Sequence, residues 1–309
     1  MNPTNRLTFK ATLAQVSVPA TSANLGPGFD TYGLALGLRD RYAAQILDDA
    51  IFDVDVTGEG ADDVKKDKNN LVIKSMLRGF EFMGQKPRGI ALRALNVTPH
   101  GRGLGSSASA IVGGLALARE LVLGGDQFMT KADMMALATE LEGHPDNVAA
   151  AIHGGATIAW FETTFGVTAG RAVSIPVHED IKATVFVPDT HLSTTKARKL
   201  LPESIPHHDA VLNSARTALL SIALASRPDL LLTATEDYLH QSYRERAYPK
   251  SMSLVEKLRT AGVAASISGA GPSVLVLHTL DEAAVSEIIA LGGSSFTVQN
   301  LEISSTGVA

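Results

Sequence analysis

The segment Pro99 to Ser109, PHGRGLGSSAS, sets three glycines at alternate positions in front of a serine pair. Gly101, Gly103 and Gly105 carry no side chain, so their backbone N–H groups can approach an anion and unusual φ/ψ values cost little there. A strand-like run, Gly89 to Val97, precedes the segment, and Ser107 to Leu123 follows it with the composition of a helix. Ser106 and Ser107 therefore stand where a helix begins. Free N–H groups and the positive end of the helix dipole attract phosphate at that point. A serine hydroxyl there is also a suitable ligand for Mg²⁺, a hard cation that prefers oxygen. The whole stretch, Pro99, His100, Gly101, Arg102, Gly103, Leu104, Gly105, Ser106, Ser107, Ala108 and Ser109, is a candidate triphosphate cradle. It is not a Walker loop, because no Lys follows Gly105, and it lacks the third glycine of a dinucleotide fingerprint.

The elements that must position this loop follow from pattern. Gln15 to Pro19 alternates as a strand, and Asp40 to Thr57 contains two more strand-like runs. The Gly-rich loop SANLGPGFD lies between them. Asn70 to Met83 has helical spacing, and the Ala, Gly and Leu of Ser107 to Leu123 imply a helix that packs closely. Thr130 to Glu142 is a second helix with Thr130 as its N-cap, Val148 to Ile152 a third, and Ala156 to Phe161 a strand. A boundary falls near Arg171 to Ile181. Beyond it come a strand at Ala183 to Val187, helices at Ala210 to Ala225, Leu230 to Leu239 and Met252 to Ala261, strands at Ala264 to Ile267 and Ser273 to His278, and a helix at Glu282 to Leu291. Strands and helices mix without a steady βαβ rhythm, which argues for α+β layers.

Composition narrows the function classes. The 309 residues are 45 % hydrophobic and 19 % charged, values of a globular chain with a sizeable core. A net charge of −5 disfavours non-specific nucleic-acid binding, which needs clustered Lys and Arg. The absence of cysteine excludes disulfides, thiolate catalysis and Cys-ligated zinc. MNPTNRLTFK has no apolar core of a leader peptide, and no run is apolar enough to span a membrane, so a cytoplasmic enzyme with no membrane partner is expected.

PHGRGLGSSAS resembles the central phosphate-binding motif of the GHMP kinase superfamily. PATSANLGPGFD (Pro19 to Asp30) and EGHPDN (Glu142 to Asn147) resemble segments of its homoserine-kinase branch, and SISGAGPSV (Ser266 to Val274) the superfamily's C-terminal Gly-rich motif. The resemblance implies a GHMP kinase fold. A ribosomal protein S5 domain 2-like N-terminal half, residues 1–170, would carry the ATP site, and a ferredoxin-like C-terminal half would span 171–309. It implies ATP and Mg²⁺, L-homoserine as the hydroxyl substrate, and a homodimer. It also assigns roles. Asp30 would pair with the substrate ammonium and Asn24 bond its polar end; a plain Asn/Asp turn is the alternative. Arg198 and Arg244, or Arg246 in place of the latter, would grip the carboxylate. Thr194 and Asn147 would contact the reacting hydroxyl, with His144 and Gly269 nearby. Asp146 would be a base by analogy with mevalonate kinase, or the hydroxyl attacks without one. Asn70 matches an adenine-side position. Ser107 would share Mg²⁺ with Glu142 as first choice, with Glu140 as its competitor, and spacing alone does not decide between them.

Overall fold

The computed structural model describes residues 9–309, so the N-terminal segment read above for a leader lies mostly outside the described residues. Alternating apolar residues make β1 (Ala14–Ala23), which pairs antiparallel along β2 (Tyr32–Leu47). One end of β2 also pairs with β4 (Gly89–Asn96) and the other with β5 (Ala156–Thr164). β3 (Phe52–Gly58) runs parallel to β4, and β6 (Val167–Ile175) closes the far edge against β5. The sheet order is β3-β4-β2-β5-β6, with β1 on β2.

The helices of this half are α1 (Leu71–Phe82), α2 (Ser106–Leu121), the short α3 (Gly125–Phe128), α4 (Lys131–Glu142) and α5 (Asp146–His153). α2 is buried along most of its length because its small residues let neighbours come close. A Cβ on Gly113 would lie 2.5 Å from the Tyr42 ring, and one on Gly114 2.5 Å from the Val72 carbonyl. Thr130 caps α4 in a reciprocal box with Asp133, and Gly143, in the left-handed conformation, ends it.

The second half follows β-α-β-β-α-β order. β7 (Lys182–Pro188) leads through α6 (Thr194–Arg198), α7 (His207–Ala225), α8 (Leu231–Ala234), α9 (Gln241–Arg244) and α10 (Pro249–Thr260) to the hairpin β8 (Ala264–Ile267) and β9 (Val274–His278). α11 (Glu282–Gly292) and β10 (Phe296–Leu301) complete it. The sheet order β10-β7-β9-β8, antiparallel throughout, is the ferredoxin-like arrangement. One apolar cluster joins the halves: Leu25, Leu34 and Leu104 from the first pack with Val185, Leu220 and Leu275 from the second. No helix among the described residues is long and apolar enough to cross a membrane.

Several elements differ from the sequence pattern. The helix expected over Leu230 to Leu239 breaks after α8, because the Asp237 carboxylate takes the N–H groups of Leu239, His240 and Gln241. β6 occupies part of the span read as a boundary. A division at residue 170 thus cuts a strand, and by pairing the first half continues to Ile175. HPDN is not a free turn: Asp146 and Asn147 open α5.

Candidate active site

The phosphate loop owes its shape to its glycines. Gly101, Gly103 and Gly105 have φ of 65°, 75° and 72°, in the left-handed region that favours glycine. Gly105 occupies the N-cap of α2 and offers no side-chain cap, so the first N–H groups of the helix are left open for an anion. A Cβ at Gly105 would lie 1.9 Å from Thr21 Oγ1, and one at Gly103 2.2 Å from the Ser268 carbonyl. Gly105→Ala should therefore destabilise the fold by about 1–3 kcal/mol and abolish nucleotide binding. Thermal melting with and without ATP checks this; an unchanged ATP-induced shift in Tm contradicts it.

Not every residue of PHGRGLGSSAS faces a ligand. Leu104 and Ala108 are core, and Ser109 is buried on the Tyr42 hydroxyl at 3.1 Å. The Arg102 guanidinium donates to the Pro188 carbonyl (2.9 Å) and the Asp189 carbonyl (3.2 Å), tying the loop to the end of β7 instead of reaching for phosphate. Asn70 caps α1, accepting from Val72 N–H at 2.9 Å and donating to the Lys65 carbonyl at 2.8 Å. It lies on the wall of a cleft of about 310 Å³, lined also by Asn69, His100, Ser106 and Ser107, the side on which the resemblance would put adenine.

Ser107 lines a second cleft as well, of about 530 Å³, with Glu142, His144, Thr194 and Arg198 on its walls. Ser107 Oγ donates to Glu142 Oε1 at 2.6 Å. The Glu142 side chain is only 9 % exposed. Burial pushes its carboxyl above the ordinary range, against the lowering effect of the Ser107 bond and of His144. Glu140 is elsewhere, in a two-point ion pair with Arg78 at 3.2 and 3.1 Å. His144 sits between two carboxylates, with Nδ1 2.7 Å from Asp146 Oδ1 and Nε2 3.9 Å from Glu142 Oε1. Burial lowers its basicity, but the Asp146 bond and the two carboxylate charges outweigh this and leave it raised. Asp146 Oδ1 also accepts the Asn147 N–H at 2.8 Å, and Asn147 Oδ1 accepts from Thr21 Oγ1 at 2.8 Å beneath Gly105.

Asp30 and Arg198, expected to hold opposite ends of one ligand, hold each other at 2.8 and 2.6 Å. Asn24 is 3 % exposed. Its Oδ1 accepts the Asp30 N–H (3.0 Å) and its Nδ2 donates one hydrogen to the Gly269 carbonyl (2.8 Å). These bonds join Asn24 to the backbone of Asp30, whose φ is 55°. Gly269 donates its N–H to the Ala23 carbonyl at 3.0 Å, and its own carbonyl accepts one bond, from Asn24. Arg244 is no surface charge but 1 % exposed, whereas Arg246 is exposed. Thr194 opens α6 on the cleft wall.

The pattern missed the braces. Ser268, at the head of SGAGPS, donates to the Gly103 carbonyl (2.6 Å) and shares a hydrogen bond with Ser22 Oγ (2.8 Å), so the third motif clasps the other two. Thr21 and Ser268 lie inside quoted motifs; only their partners were invisible.

Residues 70–155 match the GHMP kinases N terminal domain, and residues 216–290 the GHMP kinases C terminal domain. Homoserine kinase of Streptomyces avermitilis is 46 % identical over 97 % of this chain and 96 % of its own length. This chain belongs to the GHMP kinase family. The kinase is also 50 % identical to homoserine kinase of Clavibacter michiganensis over 85 % of this chain and 82 % of that one. The crystal structure of homoserine kinase from Cytophaga hutchinsonii superposes on this kinase with a TM-score of 0.83, covering 98 % of this chain and 99 % of that one at 27 % identity.

Proposed function

We propose that this kinase transfers the γ-phosphoryl group of ATP to the side-chain hydroxyl of L-homoserine, giving O-phospho-L-homoserine and ADP in threonine biosynthesis. The observation that carries the reading is the Asp30–Arg198 pair, whose arginine lines the cleft shared with Ser107 and Glu142. A carboxylate and a guanidinium that satisfy each other are equally suited to the ammonium and carboxylate of an α-amino acid. Mevalonate, the substrate of related kinases, has no ammonium for Asp30.

ATP is placed with its base in the adenine-side cleft and its phosphates on the open end of α2. Ser107 and Glu142 suit Mg²⁺: a hydroxyl and a buried carboxylate oxygen 2.6 Å apart, both hard donors. Among the described residues no cluster of three or more acidic or imidazole side chains is set for a metal, so the remaining oxygens would be those of phosphate and water. When bound, the ion would neutralise charge on the β- and γ-phosphate oxygens. Asn147 and Thr194 would orient the hydroxyl, and Arg198 and Arg244 the carboxylate. Asp146 holds His144 and the Asn147 N–H through Oδ1, and in this reading it orients those groups. Attack without a dedicated base suits a loose transition state in which positioning supplies most of the catalysis.

ADP release tests the proposal. With Mg²⁺, kcat/KM for L-homoserine should exceed that for mevalonate by about 10⁴-fold, because a site built for an ammonium is left unpaired by the analogue. Chelating Mg²⁺ should abolish turnover and adding it back restore it. Faster turnover of mevalonate would overturn the substrate assignment, and ATP binding without any turnover would make the protein a ligand sensor.

A further inference from the structure

Arg244 is a guanidinium placed where an ion is costly. It is 1 % exposed, its Nε is buried without an acceptor, and among the described residues no carboxylate lies within ion-pairing distance of it. Its one hydrogen bond is from Nη1 to His240 Nδ1 at 3.3 Å. Arginine can only donate, so Nδ1 must be the bare nitrogen of that ring. The other nitrogen agrees: Nε2 lies 2.8 Å from the Gly26 carbonyl, which can only accept. The partners thus fix His240 as the neutral Nε2–H tautomer. Asp237 holds the ring in place, its Oδ1 3.6 Å from Nε2 and its carboxylate on the backbone of residues 239–241. The ring stacks on Phe29 with centroids 5.1 Å apart, and the faces of that phenyl also meet Arg244 at 5.0 Å and Arg198 at 5.5 Å. One fully buried imidazole therefore touches the loop at Gly26 and Phe29 and supplies the one side-chain acceptor of Arg244 among the described residues.

We infer that His240 is a positioning residue that aims Arg244 at the carboxylate of the amino-acid substrate and locks that aim to the loop carrying Asp30. The inference rests on the substrate proposed above. An unaimed guanidinium in this space could rotate its fork away from the ligand; a bare Nδ1 leaves one orientation favoured. The Phe29 face stabilises both arginines without competing for their donors.

Two substitutions separate the two ring nitrogens. Glutamine places its donor near Nε2 and asparagine its oxygen near Nδ1. His240→Gln keeps the Gly26 tether and removes the acceptor: KM for L-homoserine should rise about tenfold, with kcat and KM for ATP within about twofold of wild type. Turnover of 3-aminopropan-1-ol, which is homoserine without its carboxylate, should be unaffected. His240→Asn should show the reverse, a lowered Tm with KM for L-homoserine within about threefold of wild type. Equal KM changes in the two variants, a wild-type KM in His240→Gln, or an equal loss on the carboxylate-free substrate would overturn the inference. In the unmodified protein, the ¹⁵N resonance of His240 Nδ1 should report an unprotonated nitrogen and move on adding L-homoserine but not 3-aminopropan-1-ol; a protonated or unresponsive Nδ1 overturns it without any variant having to fold. Wild-type turnover of L-homoserine, measured alongside, separates failure of this inference from failure of the substrate assignment.

Discussion

Glu142→Gln should lower kcat about a thousandfold, while Glu140→Gln changes it by no more than about twofold. The two carboxylates stand two positions apart at the end of α4, yet only one is set for chemistry. Glu142 is buried against Ser107 at the open end of α2, and among the described residues no Lys or Arg forms an ion pair with it; His144 Nε2 lies 3.9 Å away. A carboxylate at a helix C-terminus opposes the dipole, and burial opposes its charge, so a bound cation would relieve both. Glutamine keeps the shape and the bond from Ser107 but removes the charge. Glu140, by contrast, is exposed and neutralised by Arg78. Single-turnover rates at saturating ATP and varied Mg²⁺ distinguish the outcomes. Near-wild-type kcat in Glu142→Gln, or equal losses in both variants, would remove Glu142 from the transfer step.

Asp30→Asn should raise KM for L-homoserine about a hundredfold and leave KM for ATP within about twofold. Only the amino acid has an ammonium to lose its partner. The Asp30–Arg198 pair, about a third exposed on each side, contributes little to folding, so Tm should hold nearly constant. If the proposed roles hold, the pair would open to admit a zwitterion, each group exchanging one charged partner for another. Steady-state kinetics in both substrates decide: parallel increases in the two KM values would place Asp30 outside the amino-acid site.

What was legible in the sequence was whatever local spacing encodes. Alternate glycines before a serine pair marked the phosphate loop, and a small-residue helix marked α2 as buried. The sequence favours Glu142 over Glu140, but spacing cannot decide between them because it does not say which side of the helix faces Ser107; residues two apart point to different sides, and only the coordinates orient them. The stretch Leu230 to Leu239 has helical propensity, but Asp237 offers its carboxylate to the backbone and tertiary contacts favour that arrangement. β6 escaped notice because Gly170 and Arg171 interrupt its alternation of apolar residues. The roles of Asn24 and His240 depend on partners 245 and 214 positions away, beyond the range of any window.

The apolar cluster shared by Leu25, Leu104, Val185 and Leu275 has a mechanical consequence. Swinging one half away from the other would prise that nucleus apart and expose it to water, so the molecule has no hinge line along its waist. In the proposed arrangement the nucleotide and the amino acid would then occupy separate clefts that meet at Ser107, each reached without parting the halves.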